Sequence, residues 1–257
     1  MNLQGIQEHI VSWLDDYVTK ANMQGFIVGV SGGVDSALTS TLCALTNKKV
    51  ILLNLPIRQK ASEYERSKEQ IESLEKRFPN VKGMEVDLGP TFKQLESDLP
   101  SDSVANGLAM ANTRSRLRML TLYTIGQSNH LLVAGTGNKV EDFGVGFYTK
   151  YGDGGVDISP IADLLKSQVF QLAKHVGVIE SILKAKPTDG LWDDARNDED
   201  QIGASYDELE WAMEFKGNEE HLSTREKEVL KIYRGFHSAN KHKMLPIPVC
   251  EIPKNLV

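Results

Sequence analysis

A glycine-rich loop, Ser31-Gly32-Gly33-Val34-Asp35-Ser36, groups residues that could bind an anion in this 257-residue sequence. It follows an apolar run at residues 25–30 and leads into a predicted helix that begins with residues 35–42. A glycine pair after a buried strand lets the chain turn tightly, so that backbone N–H groups and a helix N-terminus converge on phosphate. No lysine ends the loop, so it is not of the Walker type. The loop predicts a phosphate site, with a glycine turn and an ordinary Asp-Ser helix cap as the simpler alternative.

A second glycine-rich segment, Gly135-Thr136-Gly137-Asn138-Lys139-Val140-Glu141, also follows an apolar run. It begins like the dinucleotide fingerprint of dehydrogenases, but Val140 stands where the third glycine is needed, which disfavours that class. Asp35 and Glu141 would both lie just beyond the ends of predicted strands. Taken alone, Glu141 has the ordinary alternative of a surface acid.

The Ser-Gly-Gly-x-Asp-Ser form of the loop resembles the signature of the N-type ATP pyrophosphatases. That resemblance implies that the loop holds the β- and γ-phosphates, that ATP is split into AMP and pyrophosphate, and that Asp35 is a magnesium ligand. The same loop occurs in GMP synthetase, asparagine synthetase, argininosuccinate synthetase and tRNA-modifying ligases. Other motifs must therefore indicate the substrate.

The longest of these motifs is Gly146-Phe147-Tyr148-Thr149-Lys150-Tyr151-Gly152-Asp153-Gly154-Gly155-Val156-Asp157, which resembles the Gly-Phe-Phe-Thr-Lys-x-Gly-Asp-Gly-Gly-x-Asp run of NAD synthetases. Residues 112–119 resemble that family's Asn-x-x-Ala-Arg-x-Arg-Met, with Ser115 replacing alanine, and residues 135–141 resemble its Gly-Thr-x-x-x-x-Glu. Glu141 and Lys150 lie one residue farther apart than in the family. We therefore expect a one-residue insertion near residues 143–145.

The resemblance to NAD synthetases implies a set of substrate contacts. Those to ATP are Gly29, Val30, Ser31, Gly32, Gly33, Val34, Asp35, Ser36, Thr136, Lys166 and Thr188. Those to deamido-NAD are Arg116, Lys150, Asp157, His242 and Lys243. The magnesium ligands are Asp35 and Glu141.

Some of these assignments have ordinary alternatives. A helical lysine such as Lys166 is more often solvated, and Met244 replaces the arginine that the family places after Lys243. Arg114 and Arg118 share one helix face while Arg116 points elsewhere, so the three arginines cannot all have one role. We expect at least one of them to be an ordinary surface residue.

The implied reaction is the amidation of deamido-NAD by ammonia, the last step of NAD biosynthesis. ATP first adenylates the nicotinate carboxylate, and ammonia then gives NAD and AMP. No covalent nucleophile is required, and neither Cys43 nor Cys250 has the separate domain that hydrolysis of glutamine would need. The family's members are homodimers. Another amide-forming or thiolating member of the superfamily, or a binding module that only senses nucleotides, remains as an alternative.

Alternating elements must position these residues. Mainly apolar segments at residues 25–30, 50–55 and 130–134 and an alternating segment at residues 81–88 predict strands, and the segments between them predict helices. This order indicates an α/β fold with a parallel twisted sheet, helices on both faces and ligands beyond the carboxyl ends of the strands. The resemblance implies the three-layer sandwich of the adenine nucleotide alpha hydrolase-like type, which is Rossmann-like.

The length predicts one domain over residues 1–257. Ser159-Pro160 predicts the start of a helix that runs to about residue 176, and the acidic residues 189–200 predict a mobile loop.

The composition indicates which classes of partner to expect. The formal net charge of −6 disfavours a broad basic surface for nucleic acid or membrane. Two cysteines without paired spacing, no signal peptide pattern and no long apolar run indicate the cytoplasm. The expected partners are small molecules and a second copy of the chain.

Overall fold

The computed structural model describes residues 1–185 and 198–256. Its sheet has four parallel strands in the order β3-β2-β1-β4. The central strand β1 pairs on both sides, with Ile27 opposite Ile51 on one side and Val133 on the other. The strands are β1 Gly25–Gly29, β2 Lys49–Asn54, β3 Val81–Glu85 and β4 Leu131–Val133. The expected parallel sheet is confirmed, and its strand bounds differ by a few residues from those predicted.

Helices account for most of the remaining described chain. The α-helices are α1 Leu3–Lys20, α2 Val34–Leu45, α3 Ala61–Arg77, α4 Gly89–Asp98, α5 Ser101–Val104, α6 Gly107–Ser128, α7 Lys166–His175, α8 Glu180–Leu183, α9 Asp198–Ile202, α10 Tyr206–Glu214 and α11 Thr224–Met244. A π-helix spans Lys139–Val145, and 3₁₀-helices span Glu219–His221 and Lys254–Leu256. Within the described residues, no helix has the length and apolar character needed to cross a membrane.

The side chains of β1 alternate between two apolar layers. Phe26 and Val28 pack with residues of α1, α2 and α7. Ile27 points the opposite way and packs with residues of α4 and α6. A strand that is buried on both faces must be apolar at every position, which explains the unbroken apolar run in the sequence. Helices therefore cover both faces of the sheet, and the predicted fold class is confirmed.

A third apolar cluster surrounds the π-helix. Val140 and Val145 on the π-helix pack with Leu209 of α10 and with Val229 and Leu230 of α11. All five of these side chains are fully or almost fully buried. Because Glu141 belongs to the π-helix, its position depends on packing against the last two α-helices.

The helix predicted from about residue 160 begins at Lys166 instead. Residues before it run beside β4, where the Asp157 N–H donates to Val133 O at 3.0 Å and the Gly135 N–H donates to Ile158 O at 2.7 Å. The chain must then turn before a helix can start, so Ser159-Pro160 is not its cap. The predicted mobile loop lies largely outside the described residues, and α9 begins at Asp198.

Candidate active site

The loop after β1 has a backbone that glycine alone accommodates. Gly32 has φ +85°, and a Cβ atom there would lie 2.4 Å from the Glu63 carbonyl oxygen. The buried Ser36 hydroxyl accepts from the Ser31 N–H at 3.1 Å and donates to Gly33 O at 3.0 Å. Ser36 therefore fixes the shape of the loop from within.

The N-terminus of α2 is directed at the same place. Its N-cap is Gly33, whose missing side chain leaves the first-turn N–H groups without a side-chain acceptor. Unoccupied N–H groups at a helix start attract anions, as does the positive end of the helix dipole. The loop and α2 together thus have a geometry that suits an anion, in line with the phosphate site that the sequence predicts.

A cavity of about 260 Å³ opens beyond the carboxyl ends of β1 and β4. All the expected ATP contacts line it except Thr188, which lies outside the described residues. They are Gly29, Val30, Ser31, Gly32, Gly33, Val34, Asp35, Ser36, Thr136 and Lys166. The cavity lies where ligands bind in parallel α/β sheets.

Three charged side chains meet at the wall of this cavity. Lys166 Nζ lies 2.6 Å from Asp35 Oδ2 and 2.7 Å from Glu141 Oε1. Lys166 is only 3% exposed. Burial alone would lower the pKa of Lys166, but the two carboxylates outweigh burial and raise it above its ordinary value. Lys166 is thus a buried residue of the site and not a solvated helix lysine.

The two carboxylates have different pKa directions. Burial raises the pKa of Asp35 above its usual range, and Lys166 offsets this only in part. Burial also acts to raise the pKa of Glu141, but Lys166 and the Tyr206 hydroxyl, which donates to Glu141 Oε1 at 2.6 Å, hold it below its usual range. Glu141 is therefore the more firmly ionised of the pair.

The carboxylates fit a magnesium ion. One oxygen of Asp35 and one of Glu141 each lie within 2.7 Å of the Lys166 ammonium, so the two carboxylates are close enough to share one cation. Among the described residues, no group of three or more His, Cys, Asp or Glu side chains could hold a metal. Magnesium is commonly bound by one or two carboxylates, with substrate phosphates supplying further oxygens. The pair beside the phosphate loop matches that pattern.

The five residues expected to bind deamido-NAD do not line the cavity. Arg116 is exposed and its Nε donates to Lys150 O at 3.3 Å, and Lys150 Nζ donates to His242 O at 3.2 Å. These three residues therefore lie together at the surface. Lys243 Nζ donates to the backbone carbonyls of Tyr148, at 2.7 Å, and of Gly146.

Asp157 lies apart from that group, at β4. Its carboxylate accepts from the Val133 N–H at 2.8 Å and from the Tyr123 hydroxyl at 3.0 Å. Its side chain thus joins the segment after Gly155 to the sheet.

Comparison with known proteins assigns the chain to a family. The family model for NAD synthase matches residues 6–246. This chain belongs to the NAD synthase family. It is 35% identical over 235 residues to the NH₃-dependent NAD⁺ synthetase of Mesoplasma florum, covering 90% of this chain and 93% of that protein. It is 33% identical to the synthetase of the same name from Syntrophomonas wolfei, over 100% and 99% of the two chains.

Solved structures of similar proteins agree. NMN synthetase from Francisella tularensis has a TM-score of 0.86 and 29% identity, over 99% of both chains. NH₃-dependent NAD synthetase from Campylobacter jejuni has a TM-score of 0.78 at 24% identity, over 98% of this chain and 100% of that one, and so supports the fold. NAD synthases are ligases that form a carbon–nitrogen bond by ATP-dependent amidation of deamido-NAD. The family inferred from the motifs is confirmed.

This NAD synthase carries an uncommon helix where its motif spacing departs from the family pattern. The π-helix Lys139–Val145 includes the segment at residues 143–145 where an insertion is expected. A π-turn holds one residue more than an α-turn, and such turns are frequent at functional sites. A π-helix here would accommodate the extra residue expected between Glu141 and Lys150, and the insertion itself stays a prediction.

Two residues of the site, Arg118 and Asn138, were not predicted from the sequence. Each donates a hydrogen bond to a residue that is distant in the chain. Arg118 lines the cavity, and its Nε donates to Leu55 O at 3.0 Å. Burial and the neighbouring Arg114 lower the pKa of Arg118 to about 10. Asn138 is fully buried and donates to Asp35 Oδ1 at 3.0 Å. The available signals were the helix face shared by Arg114 and Arg118, and the place of Asn138 between Thr136 and Glu141.

Proposed function

We propose that this chain converts deamido-NAD, ATP and ammonia into NAD, AMP and pyrophosphate, with Asp35 and Glu141 as the protein ligands of the magnesium ion. The closeness of these two carboxylates to one cation, Lys166, beside the phosphate loop carries the proposal. A nucleotide sensor would have no need for two metal ligands at this position. A loop that holds the β- and γ-phosphates suits cleavage of ATP between the α- and β-phosphates, because pyrophosphate is then the leaving group.

The reaction proceeds in two steps because a carboxylate does not react with ammonia. A nicotinate carboxylate oxygen first attacks the α-phosphorus of ATP, and the bond from that phosphorus to the bridging oxygen of the β-phosphate breaks. Ammonia then attacks the carboxyl carbon, AMP leaves with one former carboxylate oxygen, and the nitrogen loses a proton. No side chain becomes covalently bound to the substrate.

The chain's own residues position the reactants and balance their charge. The loop N–H groups and the start of α2 hold the leaving pyrophosphate, and Lys166 adds a positive charge from the buried side. Magnesium, when bound to Asp35 and Glu141, would neutralise phosphate charge. Thr136 and Thr188 complete the proposed ATP contacts.

The dinucleotide is proposed to bind outside the cavity, where Arg116, Lys150 and His242 form one group. A guanidinium and an ammonium suit its phosphates. Asp157 and Lys243 complete the proposed set, although both engage backbone groups. We also propose that the chain forms one domain, and that it works as a homodimer in the cytoplasm without nucleic acid or membrane partners.

A second candidate substrate is the mononucleotide. The similarity to the Francisella tularensis NMN synthetase, at 29% identity over 99% of both chains, favours testing it. The reacting nicotinate carboxylate would be the same, and only the adenosine half of the dinucleotide would be missing.

The deciding experiment gives the purified chain ATP, magnesium and ammonium with either deamido-NAD or nicotinate mononucleotide. Chromatography follows NAD, NMN and pyrophosphate, and kcat/KM is compared between the two acids. We expect NAD with a kcat/KM at least about tenfold higher for the dinucleotide, a difference of roughly 1.4 kcal/mol. A reversed preference would establish the mononucleotide, and no amide from either acid would refute the proposal. The Asp35→Ala variant should lose activity.

A further inference from the structure

Asn138 connects the two chain segments that carry the candidate metal ligands. It is fully buried and is the N-cap of the π-helix. Its Nδ2 donates to Asp35 Oδ1 at 3.0 Å, and its Oδ1 accepts from the N–H groups of Val140 and Glu141, each at 3.0 Å. One side chain thus holds one carboxylate directly and fixes the helical turn from which the other extends.

Capping alone does not account for an asparagine at this position. Asparagine, aspartate and serine are about equally good N-caps, because capping needs only a side-chain oxygen that accepts. An ionised aspartate has no donor for Asp35, and a serine side chain is one bond shorter. Among these residues, the amide alone combines the acceptor that caps the π-helix with a donor that reaches the carboxylate.

We propose that Asn138 is a positioning residue that sets where Asp35 and Glu141 lie relative to each other. Because Asn138 engages Asp35 Oδ1, the remaining oxygen Oδ2 faces the point that Lys166 Nζ marks at 2.6 Å. Glu141 Oε1 faces the same point at 2.7 Å. The inference rests on the proposed function, in which these two oxygens bind the metal of the metal–ATP complex.

The test uses Asn138→Ser and Asn138→Asp in the full chain, with Mn²⁺ as the probe. Binding of Mn²⁺–ATP is followed by water-proton relaxation, and binding of ATP alone is measured by dialysis with EDTA. Mutation of a residue that hydrogen-bonds to a metal ligand typically lowers metal affinity by about 10–100-fold. We expect Asn138→Ser to weaken Mn²⁺–ATP at least about tenfold while leaving metal-free ATP binding unchanged.

The aspartate variant gives a second, independent readout. It keeps the volume and the helix cap but sets a carboxylate against Asp35, so its kcat for pyrophosphate release should fall below that of the serine variant. If the serine variant does not fold, the aspartate variant carries the comparison with the wild type.

Asn218 provides a matched control. It caps an exposed 3₁₀-helix by accepting from the Glu220 N–H at 3.0 Å, and its Nδ2 donates to Glu220 Oε2 at 3.1 Å. Its serine and aspartate variants should behave as the wild type does.

The inference is overturned if both Asn138 variants bind Mn²⁺–ATP and turn over normally, because Asn138 is then only a cap. It is also overturned if binding of ATP with and without metal weakens equally, because that is a general structural effect. A wild-type chain that neither binds Mn²⁺–ATP nor forms the amide would instead refute the proposed function, whatever the variants do.

Discussion

Lys166 and its two carboxylate partners form a group of unequal charge. Two acids face one ammonium, so full ionisation leaves a negative charge at the cavity wall. Burial makes that charge costly, which raises the pKa of Asp35. A divalent cation bound between the two carboxylates, as proposed for magnesium, would relieve this cost.

Replacing Lys166 with glutamine should impair both stability and catalysis. Removing one partner of a buried ion pair typically costs about 3–5 kcal/mol, because the other charge is left unpaired. We expect the free energy of unfolding to fall by about 3 kcal/mol and kcat for pyrophosphate release to fall about 100-fold or more. Urea unfolding and a pyrophosphate assay measure the two effects. The exposed Lys174 on the same helix gives the control, Lys174→Gln, and a fully active Lys166→Gln would contradict the assignment.

The phosphate loop could be predicted from a short sequence motif, because the loop depends on backbone turns that glycine permits. The pairing of Asp35 with Glu141 came from the family resemblance, and it agrees with their placement after two strands that end at one edge of the sheet. The contacts of Asn138 with Asp35 and of Tyr206 with Glu141 could not be predicted, since they depend on how distant segments pack. Sequence motifs thus identified the candidate ligands Asp35 and Glu141 but not Asn138 and Tyr206, which hold them in position.

At the scale of elements, the π-helix is held from two sides. Its start is fixed by Asn138, and its end by α11, where His237 Nδ1 lies 2.8 Å from Gly144 O and Asn240 Nδ2 donates to Val145 O at 2.9 Å. The motif around Asn240 therefore has a structural role in addition to any contact with substrate. The late start of α7 has a similar origin, because pairing beside β4 overrides the local Ser-Pro signal.

The contact between α10 and α11 should depend on pH. Glu208 accepts two hydrogen bonds from Arg225, at 2.7 and 2.8 Å, and these bonds with the Ser205 N–H lower the pKa of Glu208 to about 2. A depressed folded-state pKa contributes stability above the unfolded value, near 4.3, and the contribution is lost as pH falls towards 2. Glu208→Gln should therefore lower the thermal midpoint at pH 7, and the difference from wild type should shrink below about pH 4.

Scanning calorimetry across this pH range provides the measurement. Glu214→Gln, at an exposed position of α10, is the control and should shift the midpoint little at any pH. A Glu208→Gln difference that stays constant between pH 7 and pH 3 would show that the carboxylate charge is not the source of the effect.

At the scale of the whole molecule, apolar side chains remain exposed away from the cavity. Leu108 and Leu120 of α6 are 60% and 58% exposed, and Ile247 and Val249 in the segment after α11 are 67% and 80% exposed. Where such side chains form one contiguous patch, they can mark a surface that binds another chain. α6 also carries Arg116, so an interface there would adjoin the proposed dinucleotide group.

We expect the wild-type chain to sediment at about 57 kDa, twice its mass of 28.5 kDa. If the proposed dimer forms through this part of α6, a glutamate in place of Leu120 would put an unpaired charge into the interface, which is costly. Leu120→Glu should therefore shift the mass towards 28.5 kDa and raise KM for the dinucleotide, because Arg116 lies on the same helix. Met84→Glu, at an exposed apolar position on β3, is the matched control. A wild-type chain that sediments as a monomer while fully active would refute the dimer, and a dimeric Leu120→Glu would place the interface away from this part of α6.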